Sequence, residues 1–322
     1  MKYCNYEKPD GTGARAGVMH EGLIYPLSSI PAGPDGEDAA RLSGPIDPAS
    51  LRLLEEITAR LRNCDPLSAY RSDRALDPTG VRLLPPVLPA ASFRDFYAFE
   101  AHVKTARDRR GLEMIPEWYE IPVFYFSNHT AMLGHGDELP FPAGGRWLDY
   151  ELEVGAVIGR PGRNIRAADA DAHIAGFMVL NDWSLRDAQR EEMKVGLGPA
   201  KGKDFATGIG PLLVSPEELE PYRAGKGYDL AMTAKVNGRE YSRGNWKDIH
   251  YSFGEMIERA SRNVTLHPGD VIGSGTVGTG CILELGPDTV DGWLEPGDVV
   301  ELEIERLGTL GNCIVATPAE EN

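Results

Sequence analysis

The chain has 322 residues, 42% of them hydrophobic, which is enough for one or two domains with a buried core. Its 49 acidic and 33 basic residues leave a formal charge of −16, so nucleic acid and anionic membrane surfaces are poor partners. The 37 glycines and 24 prolines are about a fifth of the chain against a usual share of about an eighth, which points to many turns and a β-rich architecture.

In chain order, Ala14 to Leu27 reads as two strands joined at His20-Glu21-Gly22, the start of a small β module. After a Pro-, Gly- and Asp-rich stretch over 31–45, Asp47-Pro48 supplies an N-cap and N1 proline for a helix with Leu51, Leu54, Ile57 and Leu61 as its apolar stripe. Leu84-Pro85-Pro86-Val87-Leu88-Pro89 resists regular structure and marks a linker. The division expected is a small N-terminal β-rich domain with its linker over 1–88 and a second domain over 89–322.

Beyond the linker, Phe93 to Arg110 has no breaker and reads as one helix closed by Gly111. Leu148 to Ile158 alternates as a half-buried strand, and Ile174 to Leu180 is apolar enough to be buried on both faces. Tyr228 to Tyr241 carries a hairpin signature around Asn237-Gly238, and Ser252 to Ser261 reads as helix. Pro268-Gly269-Asp270 and Pro296-Gly297-Asp298 are each a turn feeding an apolar strand, read together as turns of one sheet system. Cys4, Cys64, Cys281 and Cys313 include no C-x-x-C pair, and neither a signal peptide nor a membrane span is evident, so a soluble cytoplasmic protein is expected.

Several polar residues call for an explanation. On the 148–158 strand, Glu151 and Glu153 share one face, roughly 7 Å apart at Cα. On a solvated face they are an exposed polar edge; facing a cleft they call for a hard cation. Asp182 directly follows the apolar strand, where an Asp serves equally as a turn cap or as part of a site. Arg186 and Gln189, three apart, share one side of a helical turn and can both donate to an anion. On the helix read over 93–110, Asp95 and His102 lie on one face about 10 Å apart, lining one cavity or simply amphipathic. The Gly-rich stretch 196–208 lacks the phosphate-loop order, and its Lys203 is either a solvated surface charge or a fixed cation for an oxyanion.

Taken in order, these segments resemble the fumarylacetoacetate hydrolase family. The motifs are Asp95-Phe96-Tyr97 with His102, Glu151-Leu152-Glu153, Asn181-Asp182-Trp183-Ser184-Leu185-Arg186-Asp187-Ala188-Gln189, and Lys203-Asp204-Phe205-Ala206-Thr207. The 264–272 run, Ser274-Gly275-Thr276, Ile282-Leu283-Glu284-Leu285 and the 296–301 run follow, so the likeness extends from about Phe93 to Cys313. The resemblance implies a mixed β-rich α+β fold, a β-roll catalytic domain beside the small N-terminal β domain, and a homodimer. It makes Asp95, Glu151, Glu153 and Asp182 ligands of Mg²⁺ or Mn²⁺, with Ca²⁺ also able to bind. It makes His102 a general base oriented by Glu284, and Lys203 a group that stabilises developing negative charge. Tyr97, Arg186, Gln189, Thr207 and Thr276 become substrate-binding residues.

The implied activity is metal-dependent hydrolysis of a carbon–carbon bond in an acylpyruvate or fumarylacetoacetate-like β-diketone, in aromatic-compound catabolism, the departing carbanion leaving as a metal-bound enolate. The same scaffold admits a 2-oxo acid decarboxylase, a tautomerase or isomerase, or a hydratase; a binding protein without turnover is disfavoured by the base and the lysine. Ala206 stands where a glycine often precedes the pocket threonine, and the stretch 104–147 shows no firm motif, with Tyr125 and His129 as candidates for the far end of a substrate.

Overall fold

The structure, a computed structural model, describes residues 1–11, 13–29, 44–54, 56 and 75–317. Cys64, Ile57, Leu61 and most of the Pro/Gly-rich stretch lie outside the described residues.

The chain opens with β1 (Lys2–Glu7), β2 (Ala14–His20), β3 (Leu23–Pro26) and β4 (Arg82–Leu84). Glu21 and Gly22, at φ 48° and 81°, make the left-handed pair that a two-residue hairpin between β2 and β3 requires. Next come β5 (Ser92–Phe96), α1 (Glu100–Asp108), β6 (Phe124–Ser127), β7 (Met132–Leu133) and β8 (Glu138–Pro140). The central run holds β9 (Leu148–Asp149), β10 (Leu152–Ile158), β11 (Gly162–Arg163), β12 (Ile174–Asn181), β13 (Ser184–Leu185), α2 (Arg186–Val195) and β14 (Thr207–Val214). Then follow α3 (Pro216–Leu219), β15 (Arg223–Ala224), β16 (Gly227–Tyr228), β17 (Ala231–Val236), β18 (Arg239–Asn245) and α4 (Phe253–Ser261). The last elements are β19 (Thr265–Leu266), β20 (Asp270–Gly273), α5 (Ile282–Leu285), β21 (Val299–Ile304) and β22 (Gly308–Val315).

Among the described residues, eleven strands form one mixed sheet in the order β3-β2-β1-β14-β12-β10-β20-β5-β6, with β4 on β1 and β7 on β14. A second, five-stranded sheet runs β18-β17-β21-β22-β8. The fold is therefore a sheet-rich α+β architecture, and strands β1 to β4 hydrogen-bond into the same sheet as the strands after residue 89. Successive side chains of β10 point to opposite faces. Val154, Ala156 and Ile158 pack in one core with Met232, Leu302 and Ile304 of the second sheet. Val157 packs on the other side with Tyr3, Val18, Leu51 and Leu54 of the N-terminal segment.

That two-sided cover excludes the solvated-edge alternative for the 148–158 run. The run breaks after β9, and all of β10 is buried. The helix read over 93–110 is wrong at its start: Ser92–Phe96 is strand β5, parallel to β20 and antiparallel to β6, and the helix begins only at Glu100. The sheet offers Phe93 and Phe96 buried places on its two faces, which local helix propensity does not outweigh. The two Pro-Gly-Asp turns feed different sheets, β20 in the large one and β21 in the second. The 174–181 strand, the hairpin at Asn237-Gly238 and the helix after Ser252 stand as read, the last with a reciprocal Ser252–Glu255 capping box.

Candidate metal centre and its histidine

Sheet order explains why acids from three distant segments, Asp95, Glu151 with Glu153, and Asp182, meet. In the row β12-β10-β20-β5, Leu152 pairs with Asn181, Gly155 with Gly273, and Gly273 with Asp95. Glu151 and Asp182 stand one step beyond the Leu152–Asn181 pair, Glu153 follows Leu152 on β10 itself, and Asp95 lies on β5, across β20. Asp95 thus comes from a strand, and its former place beside His102 on one helix is corrected to strand β5 against helix α1. One oxygen of each of Asp95, Glu151, Glu153 and Asp182 falls within 4.8 Å of the others, and all four residues are buried.

Burial of so much like charge sets their protonation. Desolvation, then the neighbouring Asp182, raises Asp95 well above the usual carboxylate range; desolvation and Asp95 do the same to Glu153. Asp182 is raised by burial against the pull of Lys203. Glu151 is the exception, because Lys203 and Arg186 outweigh its burial and hold it down at about 2. Lys203 Nζ donates to Glu151 Oε2 at 2.5 Å and to Asp182 Oδ2 at 2.7 Å, and Arg186 Nη2 lies 2.8 Å from Glu151 Oε1. Asp182 Oδ1 is buried without a hydrogen-bond partner. A hard cation with oxygen ligands satisfies that atom and relieves the repulsion, so the donor set fits Mg²⁺ or Mn²⁺.

His102 sits in the first turns of α1. Its Nδ1 is 2.5 Å from Glu284 Oε1; in the neutral tautomer that donates to that carboxylate, Nε2 is the acceptor. Glu284 is fixed in turn by the Thr279 amide, donating to Oε2 at 2.9 Å, and by Arg109, donating to its carbonyl at 2.6 Å from Nη2. The Tyr97 ring stands edge-on to His102 with centroids 5.3 Å apart, and burial pushes its hydroxyl up to about 12.

The remaining candidates fall around these two groups. Thr276 donates to Glu153 Oε1 at 3.2 Å, and the Gly275 amide donates to Glu153 Oε2 at 3.0 Å. Arg186 and Gln189 bond each other at 3.0 Å, and Thr207 is buried at the start of β14. Tyr125, on the stretch without a motif, donates to Asp182 Oδ2, whereas His129 is exposed. Asp149 was not singled out from the sequence, although Asp149-x-Glu151-x-Glu153 is a single period-two acidic run and carries the signal. It is fully buried and bonded to Arg186 Nε and to the amides of Ile282 and Leu283.

Comparison with known proteins gives the chain's family. A family profile described as fumarylacetoacetate (FAA) hydrolase, C-terminal, matches residues 91–315. The chain is 34% identical over 198 residues to oxaloacetate tautomerase FAHD2A, mitochondrial, of Homo sapiens, covering 60% of this chain and 59% of that protein. It is 34% identical over 191 residues to 2,4-didehydro-3-deoxy-L-rhamnonate hydrolase of Sphingomonas sp., covering 58% and 63%. Both alignments span less than two thirds of the relative's length. The structure of maleylpyruvate hydrolase from Sphingobium sp. SYK-6, in complex with manganese(II) ion and pyruvate, superposes with a TM-score of 0.70 over 98% of this chain and all of that one; at 21% identity this is a likeness of fold. The profile spans the four clustered carboxylates, His102, Lys203 and Glu284, and the chain belongs to the fumarylacetoacetate hydrolase family.

Proposed function

We propose that the protein hydrolyses a carbon–carbon bond in an acylpyruvate or fumarylacetoacetate-like β-diketone, using Mg²⁺ or Mn²⁺ held by Asp95, Glu151, Glu153 and Asp182. The observation that carries this reading is the His102–Glu284 pair in the same chain as a buried carboxylate cluster. When bound, the cation supplies Lewis acidity that polarises substrate carbonyl oxygens.

The chain's own residues account for the proton movements. With Nδ1–H held by Glu284, His102 Nε2 takes a proton from water, and the carboxylate stabilises the imidazolium that forms. The hydroxide adds to the carbonyl carbon next to the scissile bond; that bond breaks, and its electron pair passes to the departing 2-oxo acid as an enolate. The proton on His102 then returns to the leaving group. Lys203 is an ammonium with three donors, two of them spent on Glu151 and Asp182, so the third can meet the oxyanion. Burial alone would lower Lys203, but the carboxylates of Asp182 and Glu151 outweigh it, raise the ammonium above its ordinary value and keep it charged.

A second reading, tautomerisation of a 2-oxo acid such as oxaloacetate, is favoured by the 34% identity to the human oxaloacetate tautomerase, since a base poised near a cation also moves a proton between carbon and oxygen. Incubation of the Mn²⁺-loaded protein with 2,4-diketo acids in ¹⁸O-labelled water separates the two. Label in the acid product is the expected result. Accelerated enol–keto exchange of oxaloacetate with no cleavage of any diketo acid would replace hydrolase by tautomerase.

A further inference from the structure

Asp149 belongs to neither half of the site, yet it touches both. Its side chain is 0% exposed, and three donors converge on its two oxygens. Arg186 Nε donates to Oδ2 at 2.8 Å, Leu283 N to Oδ2 at 3.0 Å, and Ile282 N to Oδ1 at 2.8 Å. On one side, the same Arg186 reaches Glu151 through Nη2. On the other, Ile282 and Leu283 open α5, the short helix that presents Glu284 to His102.

The residue type is specific to this arrangement. The cap position of α5 is Cys281, whose side chain makes no capping bond, so the first amides of α5 depend on an acceptor from a distant strand. A carboxylate accepts on both oxygens; an asparagine would turn an N–H toward at least one of three donors. Burying the acid costs desolvation, which is tolerated because Arg186 pairs with it.

We propose that Asp149 is a positioning residue that couples the two halves of the centre: through Arg186 it sets Glu151, and through the first amides of α5 it sets Glu284 and with it His102. This rests on the reading of His102 and the carboxylate cluster as the active centre, but its test needs no substrate.

The experiment compares the full-length protein with its Asp149→Asn variant in two substrate-free measurements. These are Mn²⁺ affinity by electron paramagnetic resonance and the downfield proton resonance of the His102 Nδ1–H bonded to Glu284. The variant should bind Mn²⁺ about tenfold more weakly and lose or shift that resonance, as expected when an outer residue orients a ligand. An unshifted resonance, or an affinity within about twofold of the parent, overturns the proposal. Because the variant can fail to fold, the Arg186→Lys variant provides a second reading. It keeps a cation near Glu151 but removes the Nε–H given to Asp149, and hydrogen exchange at the Ile282 and Leu283 amides should quicken about tenfold. Unchanged exchange there means that Asp149 couples nothing. Failure to turn over any diketo acid would count against the hydrolase reading while leaving these results intact.

Discussion

At the scale of single residues, the proposed centre divides into groups that hold charge and one group that moves a proton. The proposal makes His102 the mover, and its partner Glu284 is buried and pinned by Thr279 and Arg109. Replacing His102→Ala removes the base and leaves the carboxylates in place, so kcat on a cleaved diketo acid should fall about 10²–10⁴-fold. Mn²⁺ affinity should stay near that of the parent. Steady-state kinetics with metal titration checks both, and an unchanged kcat removes His102 from the mechanism. Of the residues around it, the acids and the histidine are legible in the sequence because each stands in a short motif. Tyr125 is legible only as a candidate for the far end of a substrate; its bond to Asp182 is not, since it joins residues that only strand packing makes neighbours. Asp149 was hidden differently: its partners at 186, 282 and 283 lie on a helix start and a short helix that no local pattern connects to it.

At the scale of elements, the register of β20 against its two neighbours controls one of the proposed metal ligands, Asp95. Gly273 lies between Gly155 of β10 and Asp95 of β5, and a Cβ built there would sit 2.3 Å from Asp95 Oδ1. The glycine is thus a space left for a carboxylate. Gly273→Ala should preserve the sheet, because alanine takes extended backbone readily, while pushing Asp95 aside and weakening Mn²⁺ binding about 10–100-fold. Circular dichroism together with a metal titration tests this; full affinity in a folded variant would show that Asp95 relaxes without cost. The misreading of β5 belongs to this scale too. Phe93 to Arg110 contains no breaker, so the end of the strand and the start of α1 are decided by the buried places that β20 and β6 create for Phe93 and Phe96.

At the scale of the whole molecule, acidity and stability are linked through the cluster. Asp95, Glu153 and Asp182 are raised, so without a cation the folded state holds more protons than the unfolded chain. Their contribution to stability therefore falls as pH rises from the unfolded values, about 4, through the folded ones. Glu151, held at about 2, has the opposite sign: its contribution is present above the unfolded value and is lost only as pH drops through about 2. Metal binding requires the deprotonated carboxylates, so stabilisation by Mn²⁺ should be larger at the higher of two pH values above the unfolded carboxylate range of about 4. Thermal melts with and without Mn²⁺ at the two pH values measure this, and an equal shift at both would mean that the cluster does not release protons on binding.

The same scale separates what the chain states locally from what its folding decides. Composition and spacing were enough for a β-rich architecture, for the hairpin at Asn237-Gly238, for a helix over Ser252 to Ser261 and for the order of acidic, histidine and lysine motifs, because turn chemistry and hydrophobic period act over a few residues. The burial of Glu151 and Glu153, the strand under Asp95, the separation of the two Pro-Gly-Asp turns into different sheets and the bridge made by Asp149 were decided by tertiary structure alone. Each depends on which strands lie side by side, and pairing between residues far apart in the chain leaves no trace in the residues next to them. An Asp-x-Glu-x-Glu run reads as a solvated edge until a second sheet and an N-terminal segment cover the strand that follows it, and only that cover makes its charges need a cation.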